Sequence, residues 1–269
     1  VVYAALGPAW CFLLNAISYL GSIIAVFLMR NVKAARQARR DQSMLKQIGE
    51  GFSHVWHSAI TRDMLLMTAI SQMLLMPYAI FFPVFATRVF NVGATGQGVM
   101  SASVGVGALT AALTMSSIGH RFEQRSIVYF GAILAPVGLL AFSLCGSYHA
   151  SLVCLVAIGM GMMTFMASSN TIMQMKAPPD LCGRVMSLRA LTMFGLAAVG
   201  SYVMARLSEI KYLHIAGTSV HFDVQGTILI GASIGLLSSI YFAVASKRER
   251  ERTTAPGSRC DEASVGTDV

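Results

Sequence analysis

Seven apolar runs, each about long enough to cross a bilayer, dominate this chain of 269 residues and leave it few possible folds. They cover roughly 9–29, 64–86, 97–118, 127–144, 152–170, 185–205 and 226–246. A helix needs about 20 apolar residues to cross a hydrocarbon core about 30 Å thick. In that medium every backbone N–H and C=O must be paired within the protein, which favours helices. No Asp, Glu, Lys or Arg lies between Val1 and Met29. The runs therefore predict an all-α integral membrane protein with about seven transmembrane helices. Composition agrees, with 55% hydrophobic and 12% charged residues, against about 25% charged in a soluble domain. A net charge of +8 does not point to nucleic acid. The basic residues punctuate apolar runs and do not form a stripe on a soluble core.

Those basic residues set the expected topology. The stretch 30–63 carries Arg30, Lys33, Arg36, Arg39, Arg40, Lys46 and Arg62 against only Asp41, Glu50 and Asp63. Seven spans alternate the loops between two sides. Of the 20 Lys and Arg residues, all but Arg88, Arg206 and Lys211 then fall on one side. Positive residues stay inside, so this side and the C-terminus are predicted to be cytoplasmic. The expected divisions are a first helix in 1–29 and a cytoplasmic linker in 30–63. A six-helix bundle in 64–246 and a disordered charged tail in 247–269 follow. Within the linker, Met44, Leu45, Ile48, Phe52, Val55 and Trp56 share one helical face. That spacing predicts an amphipathic helix over 43–58 lying on the inner surface. Val1 follows no charged n-region and reads as no secretory signal. The expectation is a chain that has lost its beginning, with 1–6 the end of an earlier helix.

Enzyme chemistry finds little support. The sequence holds no Walker motif, HExxH helix or GxSxG elbow. The five cysteines (Cys11, Cys145, Cys154, Cys182, Cys260) have no metal-ligand spacing and read as free thiols. Neither a metal nor a cofactor is expected. No carboxylate or lysine falls inside a predicted span, and intramembrane charges are the usual marks of function. Arg189 lies just inside a span end and counts with the inner-side charges; what remains within the spans is polar and uncharged: Asn15, Ser18, Gln72, Tyr78, Ser168, Ser169 and Asn170. An amide in hydrocarbon must find partners, so Asn15 and Gln72 are expected to face protein or a cavity. Gln72, Tyr78, Phe81 and Asn170 are the candidate solute-pathway residues, against a plainer role in interhelical hydrogen bonding. Pro77 and Pro83 interrupt the second span, as bent helices do beside transport sites or at a simple kink. Small residues at Gly105, Gly107, Gly159, Gly161, Gly195 and Gly200 suit close helix packing. The methionines between Met160 and Met175 suit core or lipid contact more than a pliable cavity.

Two predicted cytoplasmic turns combine glycine, arginine and an acidic residue. One runs through Gly119, Arg121, Glu123 and Arg125, the other through Asp180, Gly183 and Arg184. Arginine pairs with carboxylates or caps helix-end carbonyls. Gly119, Arg121, Arg125, Gly183 and Arg184 are therefore candidate cytoplasmic-gate residues, against a plain role as orientation signals.

At these residues the chain resembles the major facilitator superfamily, in particular the bacterial branch of enterobactin exporters and macrolide efflux proteins. Phe12-Leu-Leu-Asn15-Ala-Ile-Ser18-Tyr19 looks like that branch's sixth helix, and Glu50-Gly51-Phe52 like the end of its central loop. Gly119, Arg121 and Arg125 resemble the second copy of the superfamily's inter-helix motif, with Glu123-Gln124 where an Asp-Arg pair is expected. Gly183-Arg184-Val185 is similar to the turn before its eleventh helix. The resemblance covers nearly the whole chain and implies helices six to twelve of a twelve-helix transporter. It further implies a proton-coupled exporter of small amphiphilic molecules, drug-like or siderophore-like, working by alternating access. The expected partners are the bilayer, the solute and protons handled by a missing N-terminal half. A lipid flippase of the same superfamily and a non-transporting truncated membrane protein are the alternatives.

Overall fold

The computed structural model describes residues 8–28, 49, 52, 53, 55–209, 212–215, 218–221 and 224–254. Its helices, in order, are α1 (Pro8–Leu28), α2 (Ala59–Val89), α3 (Gly93–Ile118), α4 (Gln124–Leu144), α5 (Tyr148–Lys176), α6 (Cys182–Glu209) and α7 (Val224–Thr254). Six of them, α2 to α7, are long and apolar enough to cross a membrane. The membrane-spanning part is all helical, as expected, but six helices among the described residues qualify where about seven are predicted, because the apolar part of α1, Phe12–Leu28, is shorter than the others. One addition lies between α6 and α7, where strands β1 (Tyr212–Ile215) and β2 (Thr218–His221) pair antiparallel, Tyr212 opposite His221 and Ile215 opposite Thr218.

Two helices run further than the apolar pattern predicts. α2 begins at Ala59, five residues before the apolar run, and α7 continues through the charged residues after Ser246 to Thr254. Lys, Arg and Glu are good helix formers, so a helix already nucleated in the apolar segment extends into them. That corrects the expectation of disorder from residue 247; 255–269 lie outside the described residues. Most of the linker, 29–48 with 50, 51 and 54, lies outside them as well. The described part of the expected amphipathic helix is helical at Phe52, Ser53 and Val55–His57. Val55 is fully buried against Met64, Met67, Val128, Met173 and Val185. Phe52 and Trp56, stacked at 5.6 Å, stay exposed. The apolar face is thus divided: one residue docks on the bundle and two remain open to the surroundings.

The interior of the bundle forms two apolar clusters. One gathers Tyr78, Phe81, Phe85, Met100, Leu139, Phe142, Leu155 and Ile228 around the α2–α3 and α4–α5 connections. The other gathers Met64, Met67, Val128, Phe165, Ile172, Met173 and Val185 at the end that holds the α3–α4 and α5–α6 connections. Glycines let the backbones meet. A Cβ on Gly107 would strike the Val156 carbonyl, one on Gly159 the Val104 carbonyl, and one on Gly200 the Met73 carbonyl. Gly161 abuts Ala135 on α4 in the same way. Packing is thus the role of these four, whereas Gly105 and Gly195 have open space where a Cβ would stand. α1 differs from the rest: Phe12, Tyr19 and Phe27 are well exposed. Asn15 is exposed with them, where the expectation is an amide that faces protein or a cavity.

Candidate transport site

The site begins with a local fault in α2. Proline has no N–H to give the carbonyl four residues earlier, and its ring crowds that carbonyl. Around Pro77 the helix widens to π geometry over Ser71–Leu75 and then tightens to 3₁₀ over Met76–Phe81. A second π segment, Phe85–Val89, follows Pro83. All peptide bonds among the described residues are trans. Inserted π and 3₁₀ turns of this kind often accompany functional sites.

Gln72 sits in the first π segment, buried to 1% exposure, with Nε2 directed to the Met166 sulfur on α5 at 3.8 Å. The same methionine is a centre for Arg189. From α6, Arg189 donates through Nη1 to Thr68 Oγ1 at 3.1 Å and through Nη2 to the Met166 carbonyl at 3.1 Å. The sulfurs of Met173 and Met166 lie 3.6 and 3.9 Å from the guanidinium. Its exposure is 5%. Thr68 passes its own proton to the Met64 carbonyl at 2.8 Å, and Ser169 Oγ donates to the Met166 carbonyl at 3.3 Å. One cation therefore joins α2, α5 and α6 through neutral acceptors alone. Hydrogen bonds and polarizable sulfur replace part of its lost hydration.

This is a residue the sequence reading undervalued. By charge pattern alone Arg189 reads as an inner-side charge just inside a span end. It lies seven residues past Cys182, which starts α6, so about 10 Å along the helix at 1.5 Å per residue. An arginine at a helix centre costs ~2.5–3.5 kcal/mol on insertion scales, and one two turns in carries enough of that cost to be a signal. The methionines prove to be divided. Met173 is fully buried and Met175 is well exposed, matching the core-or-lipid reading, while Met166 and Met173 also solvate Arg189.

The four pathway candidates are not brought together. Gln72 joins the Arg189 centre, and Asn170 is half-buried one helical turn along α5 from Met166. Tyr78 and Phe81, each 6% exposed, lie in the 3₁₀ part of the fault and belong to the apolar cluster at the α2–α3 end. Tyr78 packs edge-on to Phe82 at 5.4 Å. Ser168 is fully buried, and its hydroxyl has no hydrogen-bond partner among the described residues.

A separate groove of about 590 Å³ opens at the end where α3 turns into α4. α3 and α4 both pack on α5, whose Met160 and Thr164 line the groove; Ala111 and Thr114 come from α3 and Ile127 and Phe130 from α4. Gly119 and Phe122 complete the lining at the turn. Phe122 and Phe130 are more than half exposed. The volume falls in the range of small-molecule sites, about 300–1,000 Å³. Of the gate candidates, Gly119 thus lines a cavity, and exposed Arg121 and half-buried Arg125 flank it along the chain. Gly119 has φ −57° in a 3₁₀ turn over Gly119–Arg121. The turn is tight, as expected, but its backbone suits any residue. Gly183 is exposed and Arg184 half-buried in the first turn of α6.

Among the described residues, six apolar helices, a proline-faulted helix and an arginine buried at a helix junction make up an all-helical membrane bundle of the major facilitator type. Residues 1–258 match the transmembrane secretion effector family of that superfamily, and the chain belongs to it. It is similar to the multidrug efflux pump Tap of Mycolicibacterium fortuitum, at 23% identity over 217 residues. That match takes in 80% of this chain and 53% of the pump, so the chain spans about half the length of this curated relative.

Proposed function

We propose that this chain is part of a secondary active exporter of small amphiphilic molecules, driven by protons and working by alternating access in a bacterial cytoplasmic membrane. The groove between α3 and α4 carries the reading. Its lining is almost wholly apolar, while Arg121 and Arg125 stand beside it in sequence at the turn. Such a surface suits a molecule with an apolar body and a polar or anionic end, arriving from the inner leaflet. Family membership and the likeness to an efflux pump support export as the direction. The charge bias supports a cytoplasmic side for the C-terminus and for the turns at Gly119 and Gly183. Gly119, Arg121, Arg125, Gly183 and Arg184 then form part of the inner gate. Gln72 and Asn170, next to the Arg189 centre, are the pathway residues this reading favours, with Tyr78 and Phe81 further along. Proton coupling is assigned to residues beyond these spans, since the carboxylates Asp63, Glu123 and Asp180 lie near helix ends.

The test is extrusion of an amphiphilic fluorescent dye from inverted or right-side-out vesicles of cells expressing the chain in its full coding context. Extrusion should follow an imposed proton gradient and fall tenfold or more when the groove is filled by Ala111→Phe with Thr164→Phe. Gradient-independent lipid movement without dye extrusion would instead mark a lipid translocator and sink the proposal.

A further inference from the structure

We propose that Cys145 and Cys154 are a redox pair that closes to an intramolecular disulfide across the α4–α5 connection. Their sulfurs stand 3.6 Å apart, and both residues are half-buried thiols. A disulfide needs an S–S separation of ~2.05 Å, so closure asks for a shift of ~1.5 Å. The local chain permits it. Cys145 is the C-cap of α4: its N–H still donates to the Phe142 carbonyl at 3.2 Å, but its backbone has turned extended (φ −71°, ψ 120°), so the chain leaves the helix at this residue. Gly146 next to it has open space around its Cβ position. Cys154 is held more firmly, in the second turn of α5.

The chemistry balances with a small-molecule or protein disulfide as oxidant. One cysteine thiolate attacks the oxidant's S–S bond, forming a mixed disulfide and expelling one thiol. The second thiolate attacks the protein sulfur of that mixed disulfide, forming the Cys145–Cys154 bond and expelling the other thiol. Two electrons pass to the oxidant, and the two thiol protons end on its reduced halves. Closure would tie the ends of α4 and α5 beside a junction that already holds α3. There Tyr148 donates to the Gly96 carbonyl at 3.1 Å and stacks edge-on with Phe90 at 5.8 Å. Under the topology of the proposed function this end faces outward, on the oxidising side of the membrane, where disulfides persist. That placement rests on the topology; the pairing rests on the 3.6 Å geometry.

The tryptic segment 126–176 contains both cysteines and no internal Lys or Arg, so it reports the bond directly. Membranes from cells quenched with a permeant maleimide should yield this segment unalkylated and lighter by two hydrogens. The mass should return to that of the dithiol on reduction. Purified full-length chain, reduced and then treated with dipyridyl disulfide, should release two pyridyl thiols from the pair and retain no adduct on 126–176. Cys145→Ser or Cys154→Ser should instead retain one stable adduct. Two separate adducts on the wild-type segment, or a segment that keeps both thiols under the oxidant, would overturn the pairing. After mild reduction, an impermeant maleimide applied to intact cells should label Cys145. Labelling only after lysis overturns the outward placement and leaves the bond itself standing.

Discussion

Arg189 on α6 donates to the hydroxyl of Thr68 on α2 across 3.1 Å, joining residues 121 positions apart in the chain at a place where both are buried. Thr68 donates in turn to the Met64 carbonyl, and the second arm of the guanidinium reaches the Met166 carbonyl. The cation is thus the centre of a three-helix junction with neutral ligands.

That arrangement separates stability from function. Replacing a buried ion pair by apolar side chains of similar volume is often neutral or stabilising, and Arg189, with only neutral acceptors, leaves no opposite charge behind when it is replaced. In Arg189→Met, Thr68 keeps its bond to Met64 and the Met166 carbonyl keeps Ser169, so no polar atom is stranded. Thermal unfolding in detergent should therefore place Arg189→Met within about 1 kcal/mol of wild type or above it. Arg189→Lys retains the buried charge but lacks the planar fork that reaches two acceptors at once. It should be less stable than the methionine variant, by about 1–3 kcal/mol. Dye extrusion should fall at least tenfold in both. The opposite order of stabilities would make Arg189 a structural clamp.

The glycine contacts give a second ordering. A methyl group on Gly200 meets the Met73 backbone of α2, and one on Gly159 meets the Val104 backbone of α3. Backbone cannot rotate out of the way, so helices must separate, and overpacking of this sort costs about 1–3 kcal/mol. Gly200→Ala and Gly159→Ala should each lower the unfolding midpoint in detergent. Gly105→Ala and Gly195→Ala, with open space at the same atom, should match wild type or exceed it slightly through better helix propensity. Equal losses at all four positions would mean that contact distance does not decide the effect.

The contrast between those pairs shows what the sequence made legible. The six spans were readable because each is an apolar run bounded by charge or turn residues, a signal carried by local composition. Which glycine faces a neighbour was not readable, since Gly105 and Gly107 lie two residues apart on one helix and differ only in what stands opposite. Arg189 escaped for a related reason. A single charge near a span end looks like a topology marker, and its ligands come from α2 and α5, far away in sequence. The β1–β2 hairpin, with strands of four residues each, is too short for its alternation to stand out beside the long apolar runs. Asn15 is the converse case: a general rule about amides in hydrocarbon predicts that it faces protein or a cavity, and among the described residues it is exposed.

Glycine at the α2–α3 connection and glycine at the α3–α4 turn should respond differently to the same change. Gly93 has φ +64° beside Asn91 at +51°, a left-handed conformation that costs an L side chain about 1–2 kcal/mol. Gly93→Ala should therefore destabilise the bundle by about 1 kcal/mol despite open space around the added methyl. Gly119 has φ −57°, and its Cβ position lies 3.8 Å from the Met115 side chain, an ordinary contact. Gly119→Ala should leave the unfolding midpoint unchanged or slightly raised, since alanine favours helical backbone by up to about 1 kcal/mol. It also lines the groove, so a larger residue tests the gate. Gly119→Leu should fold like wild type yet slow dye extrusion severalfold by narrowing the groove mouth. Unchanged extrusion in Gly119→Leu at equal protein level would remove this turn from the solute path and leave it a connection between two helices.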